Sequence, residues 1–222
     1  MLAESTISSH RATVTERVSV LLRDRILAGA FLPGAPLREE ELVREYDVSR
    51  HVIREALRVL SSEGLIEYAS FKGARIPVLT ERDIHDIYRA RRLLECGPDA
   101  FSVAVRADVF AKVHNDFARA VANKDWKLAF DVDVTFHSMI AASTGIERVS
   151  QWHRDLLQGL RLAHLVAPVF KEETLAESVA QHADVVLAIA ANDFASARAS
   201  LFDHLTHAES RLAGGLIRPS LT

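Results

Sequence analysis

Residues 48 to 57 read Val-Ser-Arg-His-Val-Ile-Arg-Glu-Ala-Leu, and this stretch decides the fold of the first part of the chain. Ser49 suits a helix N-cap, because its hydroxyl can accept a hydrogen bond from an amide of the first turn. Apolar residues follow at helical spacing, at Ile53, Ala56, Leu57 and Leu60. Arginines recur every fourth residue on a neighbouring face, at Arg50, Arg54 and Arg58. The pattern predicts a recognition helix that buries one face and offers guanidinium groups to a DNA major groove.

The flanking segments predict the rest of a winged helix-turn-helix. Upstream, a turn signal at Pro33-Gly34 separates a short second helix, over about 38–46, from an amphipathic first helix. The inward residues of that first helix are predicted to be Val18, Leu21, Leu22 and Ile26. Downstream, Gly64 suits the end of the recognition helix, and alternation at 66–68 and 74–76 predicts two strands. The turn between these strands, at 70–73, is the candidate wing.

The predicted DNA-contacting residues come from the start of the second helix, the recognition helix and the wing. They are Arg38, Ser49, Arg50, His51, Arg54, Arg58, Lys72, Gly73 and Arg75. Charge adds little support, since the first 78 residues hold 11 Lys and Arg side chains against 11 Asp and Glu. The positive charge must therefore be concentrated on the recognition helix and wing. We expect a single copy to bind DNA modestly and binding to rely on a dimer.

Length and composition indicate a two-part protein of 222 residues, 49% of them hydrophobic, with a net charge of −3. No stretch approaches the roughly 18 apolar residues of a membrane span, and residues 1–13 lack the features of a signal peptide. The single cysteine, Cys96, excludes an intrachain disulfide and suits a reducing compartment. We expect a cytoplasmic protein with a flexible arm at 1–13, a winged helix-turn-helix at 14–78 and a short tail at 217–222.

From 79 to 216 the pattern predicts an all-helical bundle, so that the fold class is mainly α with an N-terminal winged helix-turn-helix. Thr80-Glu81-Arg82-Asp83 resembles a capping box and opens a helix predicted to run towards Val105. Further helices are predicted over 109–122, 126–142, 146–166, 174–191 and 194–213.

Several inward positions of this bundle hold polar residues. Asp133 and His137 share one face of their helix, while His182 and His204 lie within apolar stripes of theirs. Arg91 occupies an inward position of the first helix of the bundle. Buried polar groups need partners. One carboxylate and three imidazoles could satisfy one another around a divalent metal, with Arg91 nearby for an anion. Hydrogen-bonded core histidines are the alternative, and the residues alone leave both open.

Other polar residues receive weaker predictions. Arg92, Gln158 and Arg161 could line an effector pocket, although surface positions explain them as well. We expect His153 and His164 to lie on a solvated helix face, and His207 to be a surface residue or a substitute ligand.

Residues 14–78 resemble the DNA-binding domain of bacterial transcription regulators of the GntR family. The matching pieces are the turn from Ile26 to Gly34, Leu37-Arg38-Glu39, Val48-Ser49-Arg50, Arg54-Glu55-Ala56-Leu57, Glu63-Gly64-Leu65 and Gly73. Two positions depart from the pattern. His51-Val52 stands where the family commonly has Thr-Pro, and Glu40 stands where it often has a basic residue. These departures bear on the operator sequence and not on the fold.

Residues 81–212 resemble the FCD effector domain of the FadR branch of that family. Tyr88 to Glu95 matches the pattern Tyr-x-x-Arg-x-x-Leu-Glu, and Asp133 to His137 matches Asp-x-x-Phe-His. The resemblance implies that Asp133, His137, His182 and His204 are metal ligands. It also implies that Arg91 clamps a carboxylate. The acidic residue usual before the penultimate histidine is absent, because Gln181 stands there.

Together these resemblances imply a homodimeric transcription regulator that binds a palindromic double-stranded DNA operator and responds to a small organic acid. The metal would be zinc, nickel, manganese or cobalt, between which three imidazoles and one carboxylate do not choose. One alternative is a regulator that senses the metal itself, for which a buried Arg91 would be superfluous. The other is a metal-dependent enzyme fused to a DNA-binding head, but no His-Glu-x-x-His pattern or evident general base accompanies the ligands.

Overall fold

The computed structural model of the chain describes residues 13–69, 73–103, 105–166 and 172–215. Its contacts divide the chain into two units, Met1–Pro77 and Val78–Thr222. Lys72, nearly all of the predicted arm and the predicted tail lie outside the described residues. The fold class predicted from the sequence is confirmed, since helices predominate in both units and one small sheet accompanies the first.

The first unit is a winged helix-turn-helix. Its elements are α1 (Val14–Leu27), β1 (Pro36–Leu37), α2 (Glu39–Tyr46), α3 (Arg50–Ser62), β2 (Glu67–Ala69) and β3 (Gly73–Arg75). In the sheet, β3 lies between β1 and β2 and is antiparallel to both. The β1 strand was not predicted, because two residues are too short to show an alternating pattern. It places Leu37 opposite Ala74, and both side chains are buried.

The recognition helix forms as its sequence predicts. The Ser49 hydroxyl accepts a hydrogen bond from the Val52 amide at 3.3 Å, which caps α3. The whole apolar stripe is buried, comprising Ile53, Ala56, Leu57 and Leu60. At the other end, Gly64 has a φ of 73° and its amide donates to the Ser61 carbonyl, while the Leu65 amide donates to the Leu60 carbonyl. This pair of bonds is a Schellman motif, which requires a left-handed residue after the helix.

One of the inward positions predicted for α1 is wrong. Leu21 is 53% exposed, and Ser19 is buried beside Val18 and Leu22 in its place. The Ser19 hydroxyl can be buried because it donates to the Thr15 carbonyl at 2.9 Å, which satisfies it within the helix.

The second unit is a helical bundle. Its elements are α4 (Glu81–Glu95), α5 (Ala107–Ala122), α6 (Trp126–Ala142), α7 (Glu147–Val166), α8 (Glu172–Ala190) and α9 (Phe194–Gly215). The predicted extension of α4 towards Val105 is wrong, since the helix ends at Glu95. Pro98 lacks an amide proton and disfavours a helical conformation at the preceding residue, Gly97, so the helix cannot continue. Among the described residues, no helix combines the length and the apolarity needed to span a membrane.

Helix α6 carries two of the candidate ligands, and its C-terminal end depends on Gly145. This glycine has a φ of +72°, and a Cβ at its position would lie 2.7 Å from Val103 Cγ1. Gly145→Ala therefore adds left-handed backbone strain to a steric overlap. We expect the free energy of unfolding of the second unit to fall by about 1–3 kcal/mol, measured by denaturant titration.

Gly214→Ala is the matched control, because a Cβ there meets nothing within 4 Å and the residue lies in α9. Its effect should be neutral or stabilising by at most about 1 kcal/mol. Equal destabilisation by both substitutions would show that the conformation of Gly145 is not the cause.

Candidate functional site

Four predicted metal ligands converge inside the second unit. Asp133 and His137 lie one turn apart on α6, His182 is on α8 and His204 is on α9. One candidate ligand atom from each residue lies within 4.8 Å of the other three. The Nε2 atoms of His182 and His204 are 3.2 Å apart, and Asp133 Oδ1 is 3.5 Å from His182 Nε2 and 3.8 Å from His137 Nε2. Three helices thus bring the set together, while its role in binding metal stays a prediction.

Apolar packing holds the His182 imidazole in place. Phe136 stacks on the His182 ring with 4.3 Å between centroids, and Phe117 lies against the same ring at 5.1 Å. All three imidazoles are at most 3% exposed, whereas the Asp133 side chain is 26% exposed. The cluster is therefore closed on its histidine side and open beside Asp133.

A buried carboxylate, Glu95, supports the cluster from α4. Its Oε2 accepts a hydrogen bond from His137 Nδ1 at 2.6 Å, and its Oε1 contacts His153 Nε2 at 2.9 Å and Arg91 Nε at 2.7 Å. Burial by itself raises the pKa of Glu95, but the Arg91 guanidinium and the His137 imidazole hold that pKa well below its ordinary value of 4.5. Glu95 is thus a carboxylate, and it can fix the His137 ring.

The position predicted for His153 is wrong. It was expected on a solvated face of α7, but it is fully buried and bonds Glu95. Its helix turns that face towards α4, where the carboxylate supplies the polar partner that burial requires. The side chain of His164 lies outside the described residues. His207 is exposed, as expected of a surface residue, and its Nδ1 contacts the Asp203 carbonyl.

Hydrogen bonds from neighbouring side chains set the orientation of two imidazoles. His204 Nδ1 contacts Gln181 Oε1 at 2.9 Å, so this nitrogen carries the proton. His137 Nδ1 donates to Glu95 in the same way. Both Nε2 atoms are thereby left as lone-pair donors that face the cluster. Gln181 thus has a role at the very position where the sequence departs from the usual acidic residue.

The protonation state of the cluster also suits a cation. Burial is the main cause that holds the pKa of His182 well below 6.5, and repulsion from His204 and His137 adds to it. Burial, followed by His137 and Arg91, likewise lowers the pKa of His204 well below 6.5. Both rings are therefore neutral near pH 7, which is the form that binds metals.

The donor atoms of the cluster fit a metal ion. His137 Nε2 is buried and has no hydrogen-bond partner among the described residues. A lone pair in that position lacks a donor, and a cation would satisfy it. The separation of 3.2 Å between His182 Nε2 and His204 Nε2 is also what two nitrogens bound to one ion at about 2.0–2.1 Å would show.

A cavity of about 50 Å³ adjoins the cluster, which is several times the roughly 10–15 Å³ that one ordered water requires. Asp133 and His204 of the cluster line it, as do Arg91 and Arg211. Arg211 was not predicted, because at a helix position one turn beyond the last inward residues it resembles any surface arginine. Its Nη1 bonds Glu177 at 2.7 Å and its Nη2 bonds the Ser178 hydroxyl at 3.2 Å.

The four predicted effector residues are placed differently. Arg91 is 2% exposed, is paired with Glu95 and lines the cavity. Arg92 bonds Glu209, and Arg161 bonds Asp131 and lies over the Phe130 ring. Neither of these arginines, nor the half-buried Gln158, lines this cavity. Of the four, Arg91 alone lines this cavity.

The described residues among those predicted to contact DNA lie on the surface of the first unit. Arg50, Arg54 and Arg58 project from α3 and are exposed, as is His51. Arg38 precedes α2, and Gly73 and Arg75 begin and end β3. Each of the five arginines forms an ion pair with a glutamate.

The fold and the cluster together define a class of protein, a DNA-binding regulator with a helical ligand-binding domain. Residues 14–76 match the family model described as bacterial regulatory proteins of the gntR family, and residues 86–207 match the model of the FCD domain. The chain therefore belongs to the GntR family of bacterial transcription regulators and carries an FCD domain. It is a regulator and not an enzyme.

Named relatives and a solved structure agree with this assignment. The HTH-type transcriptional repressor GlaR of Escherichia coli (strain K12) is 29% identical over 195 residues, which cover 83% of this chain and 89% of that protein. The gluconate operon transcriptional repressor of Bacillus licheniformis is 35% identical over 139 residues, 60% of this chain and 56% of the relative. A GntR transcriptional regulator from Rhodococcus sp. RHA1 superposes with a TM-score of 0.80 at 28% identity, covering 91% of this chain and 99% of that one.

Acid should destabilise the metal-free protein through its buried histidines. In the folded state the pKa values of His182 and His204 lie well below 6.5, whereas the unfolded chain titrates near 6.5. Below that pH the unfolded state binds protons that the folded state excludes, so the free energy of unfolding decreases as the pH falls. Glu95 contributes only below its ordinary value of 4.5. Denaturant titrations between these two pH values should show the slope.

His182→Gln should flatten that slope, because it removes one of the buried rings whose pKa lies well below 6.5. A metal-free variant with the same pH dependence as the parent chain would contradict the assignment of the slope to this cluster.

Proposed function

We propose that the chain is a transcriptional repressor whose operator affinity is controlled by a small hydroxylated carboxylate bound at a metal site in the second unit. The convergence of Asp133, His137, His182 and His204 beside a cavity lined by two arginines carries this proposal. We further infer a cytoplasmic homodimer acting on a palindromic operator, since a winged helix-turn-helix of neutral net charge needs two heads for tight binding.

On the DNA side, α3 is the element proposed to enter the major groove. Arg50 and Arg54 would contact base edges or phosphates, and a good bidentate contact to a base contributes about 1–3 kcal/mol of discrimination. Arg38, Arg58 and Arg75, with Ser49, His51, Lys72 and Gly73, would position the head on the backbone. A coupling of about 1–3 kcal/mol between effector and DNA would change operator affinity by one to two orders of magnitude.

On the effector side, the cavity has the chemistry for a polyhydroxy acid. Guanidinium groups recognise carboxylates through paired hydrogen bonds, and Arg91 and Arg211 both line the cavity. Thr174 and Ser178 add hydroxyl groups to the lining, and Asp133 adds an acceptor for ligand hydroxyls. Relatives that repress the gluconate and galactonate operons fit the same ligand class.

The metal would be held by Asp133, His137, His182 and His204, and when bound it would supply a Lewis-acidic anchor for a carboxylate oxygen. Zinc, nickel, manganese and cobalt are all compatible with this donor set. The protein contributes neutral imidazoles, two of them oriented by Glu95 and Gln181, in a site closed by apolar packing.

Sensing of the metal alone is a second candidate, and one observation favours it. Arg91 is already paired with Glu95 inside the protein, so its burial does not by itself demand an external anion. The two candidates differ in operator binding. Control by an acid requires that DNA affinity change when the acid is added to the metal-loaded protein, whereas a metal sensor responds to metal concentration only.

The test of the proposed function combines elemental analysis with a thermal-shift screen of small carboxylic acids, including gluconate and galactonate. We expect about one transition metal per chain. A matching acid at a hundredfold excess over its Kd should stabilise the protein by about 2.7 kcal/mol. Absence of both metal and acid response would remove the effector proposal and leave the DNA-binding assignment intact.

His182→Ala should abolish metal binding and the acid response together, because it removes a fully buried ligand atom from the cluster. His207→Ala is the matched control, since that exposed imidazole lies one turn beyond His204 on the same helix. Full metal content and acid response in His182→Ala would show that the cluster is not the site.

Glu95→Gln tests the support of the cluster. The amide keeps the size of the side chain but loses the charge that orients His137, so we expect metal affinity to fall about 10–100-fold in competition with a chelator. Glu209→Gln is the control, because the Glu209 carboxylate bonds Arg92 and His85 and none of the four predicted metal ligands. Equal losses in the two variants would argue against a specific role for Glu95.

A further inference from the structure

The predicted DNA-contacting surface carries its own counter-charges. The nitrogen–oxygen distances of its five ion pairs are 3.6 Å for Arg38–Glu41, 3.1 Å for Arg50–Glu40, 2.9 Å for Arg54–Glu39, 2.7 Å for Arg58–Glu55 and 2.6 Å for Arg75–Glu67. We name Glu39, Glu40, Glu41, Glu55 and Glu67 the carboxylate screen. Every described arginine that is predicted to contact DNA is thus paired within its own unit.

These pairs do not hold the fold together. In the Arg50–Glu40 pair the side chains are 54% and 77% exposed. Exposed ion pairs contribute about 0–1 kcal/mol to stability, because water screens them. A phosphate can therefore take the place of a screening carboxylate at small cost, and the screen acts on DNA affinity more than on folding.

The helix dipole explains part of the screen but not all of it. Glu39, Glu40 and Glu41 occupy the first turn of α2, where negative charge is favourable. The dipole accounts for acidic residues near the backbone amides at the start of α2. It does not account for the Glu40 carboxylate reaching Arg50, which belongs to a different helix.

Glu40 is the most exposed member of the carboxylate screen, at 77%, and it pairs with Arg50 on the neighbouring helix. A negative charge therefore stands where a positive one would strengthen contact with the DNA backbone. We propose that Glu40 is a specificity-determining residue, which lowers affinity for DNA of arbitrary sequence more than affinity for the operator. The proposal rests on the DNA-contacting residues proposed above.

The physical basis is a competition for Arg50. On arbitrary DNA, a phosphate takes the guanidinium and leaves the Glu40 carboxylate unpaired close to the negatively charged backbone. At the operator, Arg50 can donate to a guanine while Glu40 accepts from the amino group of a cytosine. The repulsion is then offset by a base contact. Glu40 thus lowers affinity for every DNA sequence except those that offer its carboxylate a hydrogen-bond donor.

The test uses the full-length protein and two duplexes, one of random sequence and one selected from a random library by the parent protein. Glu40→Gln should tighten binding to the random duplex about fivefold, the effect of one charge at contact distance in water. The slope of log K against log salt should steepen by about one for each DNA head. Affinity for the selected duplex should change less, so the ratio between the two duplexes falls.

Glu45→Gln is the matched control. It makes the same charge change on the same helix, but its carboxylate pairs with Arg25, which is not predicted to contact DNA. The proposal is overturned if Glu40→Gln leaves the random-duplex affinity and salt slope unchanged, or if Glu45→Gln reproduces its effects. It is equally overturned if both duplexes gain affinity by the same factor.

Arg50→Gln separates this proposal from the assignment on which it rests. We expect it to weaken binding to both duplexes. If it binds as the parent does, the DNA-contacting surface itself is misassigned. If it weakens binding while Glu40→Gln has no effect, the surface stands and only the screening role of Glu40 is rejected.

Discussion

The buried carboxylate of Glu95 is the interaction on which the second unit depends. It joins α4 to α6 through His137 and to α7 through His153, and it neutralises the buried guanidinium of Arg91. A carboxylate without partners would be expelled from such a core or would take up a proton. Here three donors keep it ionised, so the polar groups of three helices satisfy one another around one side chain.

That arrangement explains why a predominantly apolar bundle can hold so many polar residues. Replacing a buried ion pair with apolar groups is often neutral or stabilising, so stability alone does not account for Glu95 and Arg91. The pair instead fixes the positions of the side chains around it. Glu95 fixes the proton of His137 on Nδ1, which turns the lone pair of Nε2 towards Asp133 and His182. The packing of Phe136 on His182 closes the same site from the apolar side.

The sequence could predict the elements whose signal is periodic. The stripe of α3 and the one-turn spacing of Asp133 and His137 are properties of single helices, and both appear in the structure. Glu95 and His153 could not be identified in this way, because one carboxylate at a helix end and one histidine on an amphipathic helix look like solvated residues until their helices pack. Arg211 could not be identified from the sequence for the same reason. The end of α4 was predictable from Pro98, whose signal was outweighed by the helical pattern around it.

Burial decides how each arginine can act on a ligand. Moving Arg91 away from Glu95 would deprive a buried carboxylate of its guanidinium partner, and losing one partner of a buried ion pair costs about 3–5 kcal/mol. Arg91 therefore stays in place, and the proposed acid effector could use only the donors that Glu95 does not occupy. Arg50 is exposed, and its bond to Glu40 can be exchanged for a phosphate or a base at little cost. The same pairing of guanidinium and carboxylate is thus a fixed part of the proposed effector site and an exchangeable part of the proposed DNA-binding surface.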